Sequence, residues 1–197
     1  MKAARASKYD GLECRRLEKA QDAPIPLDII RRYVDAHHSV DDDFIRDLGR
    51  RGASYAEERT SRSVFWTKWE LTHCRGDINI PWAPVRQVES VSVKRGRSWS
   101  QVDMGNEDVF ERIWKNDESN YIVLKEWQSD QKVRVIYFAG YQLTDYMQNK
   151  MPYHISQLIL NECKAIYRSE PMNKERQDCE KNLLSNAFPD GRKLFLW

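Results

Sequence analysis

Ser63-Val64-Phe65-Trp66-Thr67-Lys68-Trp69-Glu70-Leu71-Thr72-His73-Cys74 decides the fold class. Phe65, Thr67, Trp69, Leu71 and His73 recur at a period of two, so the stretch reads as a strand with one face set apart. On both sides of this region the period is different. Upstream, Leu27, Ile30, Tyr33 and Val34 follow Pro26 at i, i+3, i+6 and i+7, the pattern of a short helix. A second helix is announced by Ser39 as N-cap and by Asp41, Asp42 and Asp43 in its first turn, where negative charge meets the positive helix end. Phe44, Ile45, Leu48, Tyr55 and Ala56 carry that helix to about Thr60, with Gly49 and Gly52 as weak spots or close-packing points.

Downstream the period stays at two. Ile78 and Ile80 form a short apolar pair before Trp82-Ala83-Pro84. Val85–Val93 alternates, with Val85, Glu89, Val91 and Val93 assigned to one face and Val88 to the other. Lys94-Arg95-Gly96-Arg97 reads as a hairpin turn. Trp99–Val102, Val109–Trp114, Tyr121–Leu124 and Lys132–Phe138 supply further strands, with turns at Gly105-Asn106 and Asn116–Asn120. The connections are too short for crossover helices, so the sheet is mostly antiparallel. After Gly140-Tyr141 the helical period returns. Pro152 stands where a first-turn proline is tolerated, and Ile155, Leu158, Ile159, Glu162, Cys163 and Ile166 follow as a stripe. The expected class is α+β: a small bundle of N- and C-terminal helices packed with an antiparallel β-sheet, plus extended terminal arms.

The arms are residues 1–23 and 171–197, around a core domain of 24–170. The first is poor in apolar residues and is given at most a helical turn around Leu12–Ala20. In the second, Met172, Cys179, Leu183 and Ala187 form too thin a stripe to hold a helix alone. It runs into Leu194-Phe195-Leu196-Trp197, which calls for a surface to bury against.

Composition narrows the function classes. The chain has 197 residues, with 32 Lys+Arg against 30 Asp+Glu and a formal net charge of +2. That balance argues against a strongly basic DNA-coating protein. No stretch approaches the roughly 18 apolar residues of a membrane span. The 22 tryptophans, tyrosines and phenylalanines together argue against wholesale disorder. Cys14, Cys74, Cys163 and Cys179 lie too far apart for a zinc-ribbon spacing, and are read as reduced thiols in a cytoplasmic setting. The segment Met1–Lys19 has no apolar run of the secretory type.

No catalytic constellation emerges. His37 and His38 fit a helix end; His73 and Cys74 are strand neighbours whose side chains diverge. Asp41–Asp43 is explained by its helix start rather than by a metal. No phosphate-cradling glycine loop, nucleophile elbow or paired-histidine zinc motif is present. The expectation is therefore no enzyme, no cofactor and no metal. Two basic groups remain. Arg46, Arg50, Arg51, Arg59 and Arg62 mark the second helix, and Lys94, Arg95 and Arg97 mark the hairpin turn. Both read first as solvated faces, because acids are interspersed, and second as phosphate contacts. A nucleic-acid-binding module without sequence preference, using the Arg-rich second helix, is the alternative reading. Trp66, Trp69, Trp82 and Trp99 are core residues or protein-contact residues.

The order of elements carries a resemblance. Two helices lead to Trp69-Glu70-Leu71, then to Ile80-Pro81-Trp82-Ala83-Pro84-Val85 and Val88-Glu89-Ser90-Val91-Ser92-Val93. Val133-Arg134-Val135-Ile136-Tyr137-Phe138-Ala139-Gly140-Tyr141 follows, and Met151-Pro152 opens a helix ending Ile166-Tyr167-Arg168-Ser169-Glu170. Over about Pro24–Glu170 this resembles the head–tail connector proteins of tailed bacteriophages, also called adaptor or head completion proteins. The resemblance implies a non-enzymatic virion protein at the head–tail junction, made in the host cytoplasm. It implies a homo-oligomer, a dodecameric ring joining the portal protein to a tail or stopper protein, with double-stranded DNA passing through without sequence recognition and no membrane partner. Candidate docking residues toward portal or neighbour are Leu183, Leu184, Phe188, Leu194, Phe195, Leu196 and Trp197. Candidate channel or interface charges are Arg46, Arg50, Arg51, Lys94, Arg95 and Arg97.

Overall fold

The computed structural model of the chain describes residues 12–36, 41–116, 119–125, 131–148, 150–169, 178 and 181–183. The fold is α+β, and the chain divides into two compact units. One is built from the described parts of Met1–Lys19 and Thr67–Ala139, the other from those of Ala20–Trp66 and Gly140–Trp197.

The first unit holds the strands: β1 (Glu13–Lys19), β2 (Thr67–His73), β3 (Asp77–Ile80), β4 (Val85–Arg95), β5 (Ser98–Gln101), β6 (Phe110–Asn116), β7 (Ser119–Leu124) and β8 (Val133–Ala139). A five-stranded sheet has the order β1-β2-β8-β4-β5, and a three-stranded sheet has the order β3-β7-β6. Every pairing between these strands is antiparallel. The decisive period-two stretch forms β2, with Thr67, Trp69, Leu71 and His73 buried and the residues between them half-buried. Its partner β8 shows the same alternation, burying Val133, Val135, Tyr137 and Ala139. Those two rows join Val85, Val91, Ile78, Ile122 and Leu124 in one apolar core.

Two sequence expectations fail here. The helical turn around Leu12–Ala20 is instead β1, paired with β2 from Glu13↔Thr72 to Lys19↔Thr67. Its charged residues are mostly exposed because the strand lies at a sheet edge, where side chains can stay solvated on both faces. The assignment of Val88 to the face opposite Val91 also fails. The pairing of β4 with β8 shifts register between Val85 and Gln87, and again between Val88 and Ser90. Each shift places one extra residue on β4 and reverses the alternation, so Val88 lies opposite Tyr137, packed toward the core, while Glu89 is exposed.

The second unit holds α1 (Leu27–Val34), α2 (Asp42–Thr60), α3 (Leu143–Met147) and α4 (Tyr153–Tyr167). Ser39 lies outside the described residues; the cap of α2 is Asp41, whose carboxylate accepts the backbone N–H of Asp43. Ile45, Leu48, Ala53 and Ala56 of α2 pack with Ile155, Leu158, Ile159 and Cys163 of α4. Each of the larger aliphatic side chains contributes about 1.5–3 kcal/mol by leaving water. Gly52 is where α2 approaches α4 most closely: a Cβ there would stand 2.6 Å from the Ile159 carbonyl oxygen and 2.9 Å from Cys163 Sγ. Pro152 precedes the first turn of α4 as its N-cap. The short α3, closed by reciprocal capping bonds between Gln142 and Asp145, has no counterpart in the sequence reading. Most of the second arm lies outside the described residues.

Candidate interaction surfaces

His73 is buried, its ring held on the inner face of β2, whereas Cys74 is exposed, so the neighbours do diverge. Burial, with Arg75 adding to it, holds the His73 imidazole below its ordinary pKa. Burial also pushes the Cys14 thiol up to about 11 and the Cys163 thiol up to about 12. Both are therefore protonated at neutral pH, when the thiolate is the nucleophilic form. Cys163 Sγ donates to the Leu48 carbonyl at 3.2 Å, and Cys14 lies 3.8 Å from the Tyr137 hydroxyl, which donates to the Pro81 carbonyl. These groups tie elements together. Asp41, Asp42 and Asp43 serve the start of α2 as cap and first-turn charge.

The arginines of α2 sit among acids. Arg46 pairs with Asp43 one turn back and approaches Asp22 at 3.7 Å. Arg50 reaches Asp22 at 3.2 Å and donates from Nε to the Gln21 carbonyl; Arg51 pairs with Asp47 at 2.8 Å. Such exposed pairs are worth about 0–1 kcal/mol each, but their acids lower the positive potential of the face. Arg59 stacks on Tyr55, and Arg62 is buried. Lys94, Arg95 and Arg97 flank the β4–β5 turn, where Gly96 takes φ +62° with open space around it. Arg95 and Arg97 are exposed.

The aromatic residues divide. Trp69 is buried, stacked on Trp82 at 5.0 Å and covered by the Arg16 guanidinium. Trp99 lies under Arg134 at 4.5 Å. Trp66 is half-buried and lines a groove of the helical unit. This groove, about 510 Å³, was not evident in the sequence because four distant segments make it. Ala20 N–H donates to the Trp66 carbonyl at 2.8 Å, and Tyr141 N–H donates to the Val64 carbonyl at 3.1 Å. Glu57 then fixes the central segment by accepting the N–H groups of Val64 and Phe65. Gly140 makes the crossing possible: at φ +104°, a Cβ there would fall 2.0 Å from the Phe65 carbonyl oxygen. The walls are Ala23, Ile25, Leu27, Trp66, Tyr141 and Leu143, with Asp22 and Arg46 at the rim. Beyond Leu143, Met147 is 69% exposed.

Of the expected docking residues, Leu183 is described and packs partly against the helical core. Leu184, Phe188, Leu194, Phe195, Leu196 and Trp197 lie outside the described residues. No helix among the described residues is long and apolar enough to cross a membrane.

No family model matches the chain, and no curated protein matches it. Solved structures do. A chain from the neck of an empty gene transfer agent particle, computed with C6 symmetry, superposes with a TM-score of 0.61 at 13% identity, covering 82% of this chain and 86% of that one. A chain from the virion of a native gene transfer agent particle gives 0.62 at 13% identity, with 81% and 86% covered. The protein thus shares its fold, over most of its length, with a neck component of a particle.

Proposed function

We propose that this protein is a virion structural protein, a subunit of the ring that connects the portal vertex to the tail. The observation that carries the reading is the fold shared with a neck chain over 82% of this chain. It is supported by the independent order of motifs from Trp69-Glu70-Leu71 through Ala139-Gly140-Tyr141 to the last long helix. The subunits form a dodecameric ring with head-to-tail contacts that close by rotation. Portal protein lies on one side, and tail or stopper protein on the other. The role is architectural, and residues 1–23 and 171–197 are the segments that reach neighbours, the former with Glu13–Lys19 as an edge strand.

Double-stranded DNA passes through the ring. A lumen that lets DNA slide needs few uncompensated cations, since each phosphate contact releases counterions and tightens binding. Arg46, Arg50 and Arg51, set among Asp22, Asp43 and Asp47, suit such a surface. Lys94, Arg95 and Arg97 are the second group of lumen or interface charges. The test is to mix the purified protein with portal particles and image them by electron microscopy. The expected result is an added ring of density below the portal; particles without it refute the reading.

A further inference from the structure

We infer that the groove of the helical unit is the socket for the Leu194–Trp197 segment of a second copy of this chain. The inference rests on the proposed ring, because a head-to-tail contact needs a socket and a plug on different parts of one surface. The socket is built. Its floor is pinned by the hydrogen bonds from Ala20 to Trp66 and from Tyr141 to Val64. Its volume of about 510 Å³ falls within the range of sites that enclose several side chains. The lining is apolar, from Ile25 and Leu27 to Trp66 and Tyr141, and the rim charges Asp22 and Arg46 compensate one another. An uncharged apolar plug fits that chemistry; a charged peptide would lose solvation without a partner.

Leu194-Phe195-Leu196-Trp197 is such a plug: four consecutive large apolar residues, preceded by Arg192-Lys193, which stays in water at the rim. Leu183, 47%-exposed Leu143 and 69%-exposed Met147 all belong to the helical unit. Leu143 forms one wall of the groove, and Met147, one turn along α3, extends the apolar surface beyond it. From Leu183 the 11 residues to Leu194 span up to roughly 36 Å when extended, enough to cross to an adjoining subunit.

The test uses the purified full chain with a photo-crosslinking phenylalanine analogue at position 196, mixed from isotopically light and heavy preparations. Mass spectrometry is expected to find light-to-heavy cross-links onto Ile25, Leu27, Tyr141 or Leu143. A second variant, Ala20→Asp with Leu143→Asp, changes two exposed residues that line the groove and is expected to lower that yield about tenfold while the helical ellipticity is unchanged. Cross-links confined to one chain, cross-links elsewhere, or a yield unaffected by the wall charges overturn the inference. Should these results accompany a normal ring on portal particles, the socket is wrong and the connector reading stands. Groove cross-links without a ring on the portal leave the socket standing and remove the connector reading.

Discussion

Gly52→Ala sets two physical effects against each other, and the structure decides which is larger. On an isolated helix the substitution stabilises by about 1 kcal/mol, because alanine restricts the unfolded chain and favours the helical backbone. In α2 the added Cβ would stand 2.6 Å from the Ile159 carbonyl oxygen, 2.9 Å from Cys163 Sγ and 3.1 Å from Ile159 Cγ2. The first of these belongs to the backbone of α4 and cannot swing aside. Restoring ordinary contact requires α2 and α4 to separate by about 0.8 Å, and a gap of that size forfeits a quarter to a half of each dispersion contact it opens. Overpacking of this kind costs about 1–3 kcal/mol before lost contacts are added. The net expectation is a loss of about 1–2 kcal/mol, or roughly 3–6 °C in Tm for a chain of this size. Far-ultraviolet helix ellipticity is the suitable assay, since the described helical residues lie in the one unit. Gly49→Ala is the internal comparison. Its Cβ meets Ile30 Cδ1 at 2.8 Å, the far end of a side chain that can rotate, so the loss is smaller. A Gly52→Ala protein melting at or above the parent temperature refutes the close-packing argument.

Gly140→Ala is expected to be worse than either, by about 3 kcal/mol or more, because positive φ and backbone overlap combine; urea midpoints measure it, and a loss below about 1 kcal/mol contradicts the crossing geometry. His73 has its folded pKa lowered by burial, so the unfolded chain takes up the proton first. Stability is therefore level above the unfolded value of about 6.5 and falls as pH drops through it toward the folded value. Thermal melts from about pH 7.5 to about pH 5 should show this slope, and His73→Gln should flatten it. Thiol labelling of the native protein is expected to modify exposed Cys74 quickly and Cys163 only on unfolding, as read by mass spectrometry with and without denaturant. Asp41→Ala removes the cap of α2 and is expected to cost about 0.5–2 kcal/mol in the same helix-ellipticity melt.

How far the sequence could be read depended on whether a feature was local. β2 was legible because its buried row of Thr67, Trp69, Leu71 and His73 is unbroken, and α2 because its acidic first turn and apolar spacing agree over Asp42–Thr60. β4 was legible as a strand but not in its facing, since Arg86 and Glu89 carry no mark of the register shifts beside them. β1 was missed because an edge strand needs little apolar content, and Glu13-Cys14-Arg15-Arg16 alternates too weakly to separate from a loop. The groove was beyond local reading for a stronger reason. Its members are brought together by hydrogen bonds from Ala20 to Trp66 and from Tyr141 to Val64, pairs separated by tens of residues. The one local sign was Gly140, whose absent side chain admits the Phe65 carbonyl at the crossing. Gly140 neither ends a helix nor makes a tight hairpin, and it marks a place where two backbones touch. In this chain the touching segments also line the groove through Trp66 and Tyr141, so the residue that permits the crossing also permits the groove.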